Sequence, residues 1–169
     1  MQVCWGEKVE KDFMIIQTSK LLIILSIIFS CEPQLVDDPI PFAAFDDIVI
    51  NLSFPDYITL NNDGGFKAIN DQNAGVRGII VYRNSATSYF AYERNCSFHP
   101  NEACATVEVH SSGLFLFDPC CTSSFGFSDG MPTGGPAWRP LRQYRTQLNG
   151  NTLTITDEVL DSYLAFLLP

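Results

Sequence analysis

Residues 118–141 read DPCCTSSFGFSDGMPTGGPAWRPL, and this stretch decides the fold. Its Gly-Pro and Pro-Leu pairs mark turns, as expected in a β-rich protein. Short runs rich in β-branched and aromatic residues recur between turn signals, which predicts an all-β chain. The predicted strands cover residues 47–52, 66–69, 78–82, 89–92, 105–109, 114–117, 141–147 and 152–156. Asn149-Gly150 is the strongest hairpin signal, because both residues tolerate a positive φ.

The quoted stretch resembles the second ligand loop of Rieske iron–sulfur domains, which reads C-P-C-H-G-S-x-F, followed by a glycine turn and G-P-A-x-x-P-L. The matching positions are Pro119, Cys120, Ser123, Phe125, Gly130, Gly135, Pro136, Ala137, Pro140 and Leu141. Rieske domains hold a [2Fe–2S] cluster with two cysteines and two histidines. The resemblance spans residues 46–156. It implies a Rieske-like small antiparallel sandwich or partly open barrel with two inserted ligand-type loops.

The positions that should bind iron depart from the family pattern. Asp118 stands where the resemblance places the ligand cysteine of the second loop, and Cys121 stands at its ligand histidine. In the first loop, Cys96 keeps its place, Phe98 stands at the usual histidine position and His99 comes one residue later. We therefore expect that the standard ligand set is lost and that no cofactor is bound.

The front of the chain indicates export. Residues 21–29 form an apolar run broken only by Ser26, with Lys20 before it and Ser30-Cys31 after it. This layout is typical of a secretory signal, and its ending resembles a bacterial lipobox. The run is too short for a membrane span, which needs about 20 residues. Residues 14–30 are therefore predicted to be a lipoprotein signal peptide, with Cys31 lipidated; an ordinary cleaved signal or a buried helix is the alternative.

The other segments outside the domain are also assigned from the sequence. Residues 1–13 are expected to be a mis-called N-terminal extension, with Met14 as the start. Residues 31–45 contain three prolines and several acids, which suits an extended tether. Residues 157–169 are expected to form a C-terminal tail or a segment that covers a sheet edge. The predicted location is the bacterial cell envelope, lipid-anchored, on the periplasmic or outer-membrane face.

Four cysteines follow the lipidation site, and an exported protein favours disulfides. In Rieske proteins that carry an extra pair, a disulfide joins the two ligand loops, and the resemblance places that pair at Cys104 and Cys120. Cys96 and Cys121, two former ligand positions, then form the natural second pair. Each bridge would close a loop that the chain-entropy model values at about 3 kcal/mol or slightly more.

Two metal alternatives stay open. A non-standard [2Fe–2S] cluster would use Cys96, His99 and Cys121 with Asp118 or Cys120. Zinc would use Cys96, His99 and Cys104 with Cys120 or Cys121, a Cys3His set that suits this ion.

Charge and motifs limit the function. Residues 31–169 carry seven basic side chains against sixteen acidic ones, a net charge of −9. Such a field disfavours binding to nucleic acids and electrostatic docking to anionic lipid. The sequence contains no supported Ser-His-Asp set, no phosphate-binding glycine loop and no helix-borne metal motif, so an enzyme is not predicted. The first hypothesis is a membrane-anchored, disulfide-stapled binding or assembly module with an unknown protein partner. The alternative is a Rieske-type ferredoxin-like electron-transfer protein, at most a subunit of an oxidoreductase.

Overall fold

Two antiparallel sheets make up the fold, for which the computed structural model describes residues 38–71 and 73–160. The elements are β1 (Ile48–Asn51), a 3₁₀ helix (Pro55–Asn61), β2 (Phe66–Ile69), β3 (Ile79–Ser85), β4 (Ser88–Glu93), β5 (Glu108–Val109), β6 (Leu116–Asp118), β7 (Ser123–Phe125), β8 (Pro132–Gly134), β9 (Gln143–Asn149) and β10 (Thr152–Leu160). The first sheet has the order β1-β10-β9-β4-β3-β2, and the second has the order β5-β6-β7-β8. The predicted all-β antiparallel class is confirmed.

The second sheet is an insertion between two neighbouring strands of the first. β4 and β9 pair directly, with Ala91 opposite Tyr144. All four strands of the second sheet come from the chain between them. This agrees with the expectation that the ligand-type loops are inserted into a larger sheet.

The burial of successive residues of β3 shows that the first sheet is covered on both faces at this strand. Ile79, Ile80 and Val81 are all buried, although successive side chains of a strand point to opposite faces. Ile79 and Val81 join one hydrophobic cluster, and Ile80 joins the other. The second cluster contains Leu116 and Phe125 of the inserted sheet. The inserted sheet therefore shares its core with one face of the first sheet.

The carboxylate of Glu93 lies fully buried at the end of β4. It accepts hydrogen bonds from the backbone N–H groups of Val76 at 2.8 Å, Arg77 at 3.0 Å and Asn95 at 3.2 Å. The hydroxyl of Tyr144 on β9 donates a fourth, at 2.8 Å. A buried carboxylate is tolerated when such donors replace water, so Glu93 joins the loop before β3, the end of β4 and β9.

Arg77 extends this network to the loop between β4 and β5, which is the first of the two inserted loops. Its Nε donates to Asn95 Oδ1 at 2.5 Å, Nη1 donates to the carbonyl oxygen of Ala103 at 2.7 Å, and Nη2 donates to that of Glu102 at 2.5 Å. Arg77 therefore fixes the backbone just before Cys104 relative to the first sheet.

Eight strands were predicted and ten are described, because β7 and β8 were not recognised. Both are three residues long, and they lie among the serine, glycine and proline residues that were interpreted as loop. The predicted hairpin turn is also wrong by one residue. Asn149 pairs with Thr152, so Gly150 and Asn151 form the turn, and Gly150 takes a φ of 58°. A glycine at the first turn position supplies the positive φ that a short hairpin needs.

β10 continues to Leu160, beyond the predicted domain end at residue 156. The register shifts between Ile155 and Val159, and Val159 then pairs with Tyr144. The bulge lets the strand follow β9 further than the alternation in the sequence indicated.

Residues 38–45 of the predicted tether lie against the domain without regular secondary structure. Arg142 donates hydrogen bonds to the carbonyl oxygens of Ile40 and Pro41. The ring of Phe45 packs edge-on against Tyr144, with centroids 4.9 Å apart. This part of the chain is therefore attached to the domain rather than extended away from it.

The extension at residues 1–13, the signal at 14–30, Cys31, the rest of the tether and the tail from residue 161 lie outside the described residues. Within residues 38–71 and 73–160, no helix reaches the length and apolar character of a membrane span.

Tyr144→Phe tests the Glu93 network. We expect it to lower the free energy of unfolding by about 1.5–3 kcal/mol, because the lost hydrogen bond ends on a buried carboxylate. Tyr89→Phe is the matched control, since its hydroxyl donates to a neutral carbonyl of Leu60 at 3.0 Å and should cost about 0.5–1.5 kcal/mol. Urea denaturation of both variants measures the difference. A Tyr144→Phe loss no larger than the Tyr89→Phe loss would contradict the central role of Glu93.

Candidate site between the two inserted loops

Three potential metal ligands meet where the loop after β4 approaches the turn between β6 and β7. Cys96 lies in the loop after β4, Asp118 is the last residue of β6, and Cys121 lies in the turn. One ligand atom from each lies within 4.8 Å of the other two, and no other such group of three is found in the described part of the chain. Cys96 and Asp118 are fully buried, whereas Cys121 is half-buried.

The distances within this group are short. The two sulfur atoms of Cys96 and Cys121 lie 3.7 Å apart. The Sγ of Cys121 lies 3.2 Å from Asp118 Oδ2 and 3.1 Å from Ser123 Oγ. Two thiols and one carboxylate therefore converge on one point.

The carboxylate of Asp118 is oriented by the turn that follows it. Its Oδ1 accepts a hydrogen bond from the backbone N–H of Cys120 at 2.8 Å, and its carbonyl oxygen accepts one from Thr122, also at 2.8 Å. Thr122 takes a positive φ of 62°, which closes the turn. With Oδ1 engaged by the backbone, Oδ2 is the oxygen that contacts the Cys121 thiol.

The buried surroundings of Cys96 disfavour its thiolate unless a metal ion binds it. Burial is the main cause that raises the pKa of Cys96 above its ordinary value, and its hydrogen bond to Asp118 raises it further. Because the thiolate is the reactive form of cysteine, Cys96 is a poor nucleophile in this arrangement.

The Gly-Pro-Ala turn packs directly against the second loop. The backbone N–H of Ala137 donates to Ser123 Oγ at 3.0 Å. At Gly135, which has a φ of 82°, an added Cβ would lie 2.5 Å from the Cα of Ser123. A glycine is therefore required at this position for the turn to approach the loop so closely.

A disulfide joins Cys104 of the first loop to Cys120 of the second. This pair was predicted from the resemblance and is confirmed. Both half-cystines are exposed, and they lie 16 residues apart in sequence. A cross-link over a loop of about this length contributes roughly 3 kcal/mol in the chain-entropy model. The two inserted loops are therefore covalently linked beside the thiol pair.

The other ligand sets that were predicted from the sequence are not assembled as complete sets in the structure. Cys96 and Cys121 face one another but are not bonded, so their predicted disulfide stays a prediction. The Cys3His zinc set needs Cys104 as a thiolate, and in the disulfide form Cys104 has none to offer. His99 does not belong to the group of converging ligands; its ring lies 4.2 Å from that of Phe98.

The donors present do not complete the set for a [2Fe–2S] cluster, which takes four protein ligands. Of the four corresponding positions, Phe98 has no donor atom and packs against the second hydrophobic cluster. Cys120, the other sulfur considered for this role, is engaged in the disulfide. The three remaining donors are Cys96, Asp118 and Cys121.

Sequence reasoning missed Arg139, which is nearly buried. Its Nη2 donates to the carbonyl oxygens of Ser97 at 2.9 Å and Asp38 at 2.7 Å. Ser97 Oγ donates in return to the carbonyl oxygen of Arg139 at 2.6 Å. The only signal was an arginine directly after the Gly-Pro-Ala-Trp turn, and that position alone does not predict its partners.

No protein-family model matches the chain, and no curated protein matches it. One solved structure with similarity is the complex of reduced oxygenase and oxidized ferredoxin in carbazole 1,9a-dioxygenase, at 18% identity and a TM-score of 0.43, covering 59% of this chain and 86% of that chain. Another is the ferredoxin of carbazole 1,9a-dioxygenase from Nocardioides aromaticivorans IC177, at 20% identity and a TM-score of 0.40, covering 57% of this chain and 88% of that chain.

Alkylation distinguishes the two thiols. At pH 8, in a buffer with chelator and without reductant, we expect iodoacetamide to modify Cys121 and to spare Cys96 until the chain is unfolded. The raised pKa and burial of Cys96 lower its thiolate fraction and its access. Peptide mass spectrometry before and after urea measures both sites. Rapid labelling of Cys96 in the folded protein would contradict this assignment, and failure to label either thiol in urea would show the second disulfide instead.

Proposed function

We propose that this chain is an envelope lipoprotein whose Rieske-like domain is cross-linked by a disulfide instead of an iron–sulfur cluster and serves as a binding or assembly module. One observation carries the proposal. At the four positions where the resemblance places cluster ligands, the chain has Cys96, Phe98, Asp118 and Cys121. These residues offer three donor atoms crowded within 4.8 Å, not four ligands distributed over two irons.

The two loops are held in place without a cofactor. The disulfide links Cys104 to Cys120, Arg139 and Ser97 exchange hydrogen bonds, and Ser123 accepts one from Ala137. A surface that is already ordered loses less conformational entropy when a partner binds. We therefore place the partner surface at the tip formed by the two loops and the Gly-Pro-Ala turn.

Several exposed residues of the second loop and of the turn are small or rigid. Pro119, Cys120 and Thr122 of the second loop and Pro136 of the turn are all exposed. The excess of acidic residues in the chain disfavours nucleic acid as the occupant and favours a neutral or basic protein surface.

The point where the chain enters the domain limits where that partner can be. The carbonyl oxygen of Asp38 bonds to Arg139, which also bonds to Ser97 in the first loop. From Cys31 to Asp38 the chain can extend at most about 25 Å, at roughly 3.6 Å per residue. With a lipid on Cys31, the contact between Arg139 and Ser97 in the first loop stays within about this distance of the anchor. We therefore infer a partner at the membrane surface.

Iron analysis tests the central claim. The full chain is expressed in a host that matures a standard Rieske ferredoxin, which is prepared in parallel as the control, and both are purified anaerobically. We expect no iron, no acid-labile sulfide and no reduced-state EPR signal from this chain. Recovery of two irons and two sulfides per chain would replace the proposal with electron transfer.

That second candidate has one observation in its favour, a donor side chain at three of the four positions where the resemblance places cluster ligands, Cys96, Asp118 and Cys121. It requires a fourth ligand, and the same iron analysis decides between the two functions.

The anchor is tested at Cys31. In a bacterial host, mass spectrometry of the N-terminal peptide is expected to show an acylated Cys31, and Cys31→Ala should abolish both the acylation and the cleavage before residue 31. Cys121→Ala is the matched control and should leave processing unchanged, because Cys121 lies in the folded domain, far along the sequence from the predicted signal. A mature N-terminus elsewhere, or a Cys31 without lipid in the native chain, would disprove the lipoprotein assignment.

A further inference from the structure

We propose that Cys96, Asp118 and Cys121 form a site for a single divalent metal ion of the zinc class, bound by two thiolates and one carboxylate. This site is distinct from the four-ligand [2Fe–2S] site and from the Cys3His zinc set. It is defined by the three donors that the structure brings together.

The donor spacing is that of a tetrahedral ion. With metal–sulfur bonds of about 2.3 Å, two sulfur ligands of one tetrahedral ion lie about 3.8 Å apart. The sulfurs of Cys96 and Cys121 lie 3.7 Å apart. A sulfur and a carboxylate oxygen on the same ion lie about 3.5 Å apart, slightly more than the 3.2 Å between Cys121 Sγ and Asp118 Oδ2. Small shifts of the side chains would therefore admit the ion.

Asp118 supplies the second, independent indication of a cation. Its carboxylate is fully buried, and burial of a charge is costly unless an opposite charge or strong donors compensate for it. Among residues 38–71 and 73–160, no lysine, arginine or histidine forms an ion pair with it. The backbone N–H of Cys120 satisfies Oδ1, and the other partners of the carboxylate are the thiols of Cys96 and Cys121, which are weak donors. A divalent ion between the two thiols would compensate for this charge, whereas a disulfide between them would not.

Outer contacts hold the donors in place, as at protein metal sites in general. The N–H of Cys120 fixes Asp118, and Ser123 Oγ lies 3.1 Å from the sulfur of Cys121. The neighbouring disulfide fixes the loops that carry these residues. Cys121 is only half-buried, which gives the ion a path from solvent. Three protein ligands leave a fourth position for water.

Cobalt(II) is the probe for this site, because its thiolate complexes absorb in the near ultraviolet and its tetrahedral complexes absorb strongly in the visible. The full chain is purified anaerobically without reductant, stripped with chelator and titrated with Co²⁺ and then Zn²⁺. We expect one equivalent of Co²⁺ to bind, with thiolate-to-cobalt bands that Zn²⁺ abolishes. Thiol counting beforehand should find Cys96 and Cys121 reduced and Cys104 and Cys120 oxidised.

Asp118→Asn tests the carboxylate while keeping both thiols. We expect Co²⁺ to bind at least about tenfold more weakly, since loss of even an outer-sphere partner costs 10–100-fold. Cys121→Ser should remove most of the thiolate-to-cobalt absorption. Asp129→Asn is the matched control, because Asp129 makes the same turn contact, accepting from the N–H of Met131 at 2.9 Å, but is exposed and lies outside the thiol group. It should bind Co²⁺ like the native chain.

Circular dichroism and urea denaturation confirm that each variant is folded before titration. Three results would overturn the proposal. The first is that the native chain, with both thiols reduced, gives no cobalt–thiolate bands. The second is that the Asp118→Asn chain binds Co²⁺ as tightly as the native chain. The third is that the native protein is isolated with Cys96 bonded to Cys121. Iron and sulfide analysis is a separate measurement, so failure of this site leaves the test of the proposed function intact.

Discussion

The rest of the structure depends on one buried carboxylate, that of Glu93, which holds together the three segments at the root of the insertion. Its four donors come from the loop before β3, from Asn95 just after β4 and from Tyr144 on β9. The chain leaves the first sheet next to Glu93 and returns to it in β9. A carboxylate buried at this place must keep all of its donors, so the two ends of the inserted sheet have little freedom to separate. The geometry between the loops is possible because their common base is fixed.

From that base, successive polar contacts extend to the site. Arg77, positioned by Glu93 through its backbone, binds the carbonyl groups of Glu102 and Ala103 just before the half-cystine Cys104. The disulfide then joins the second loop, where Asp118 and Cys121 lie. The site thus rests on backbone hydrogen bonds, guanidinium contacts and one covalent link. In cluster-bearing Rieske domains the ligands themselves join the two loops. In this chain, the described protein contacts hold the two loops together.

The sequence predicted most of the strands and, through the resemblance, the disulfide that is observed. β2 was predicted with its observed bounds, because alternation and flanking turn residues define it locally. β7 and β8 were not predicted, since they are three-residue strands whose pairing depends on the glycine turn and on Ser123 rather than on a hydrophobic pattern. The pair Cys104–Cys120 followed from the resemblance. The burial of Asp118 beside two thiols could not be predicted, because it depends on how two loops distant in sequence pack together. The hydrogen-bond partners of Arg139 could not be predicted for the same reason.

The path of the chain at residues 38–41 has a mechanical consequence. The carbonyl groups of Asp38, Ile40 and Pro41 are held by Arg139 and Arg142, well before β1 begins at Ile48. Among the described residues, tension that reaches Asp38 from the N-terminal side loads the Arg139 guanidinium first, and that group also bonds to Ser97 in the first loop. Within the described part of the chain, such a pull reaches the first loop, which carries Cys96, before it reaches any strand of the first sheet. A displacement at Asp38 is thus transmitted first to the loop beside Cys96 rather than to the first sheet.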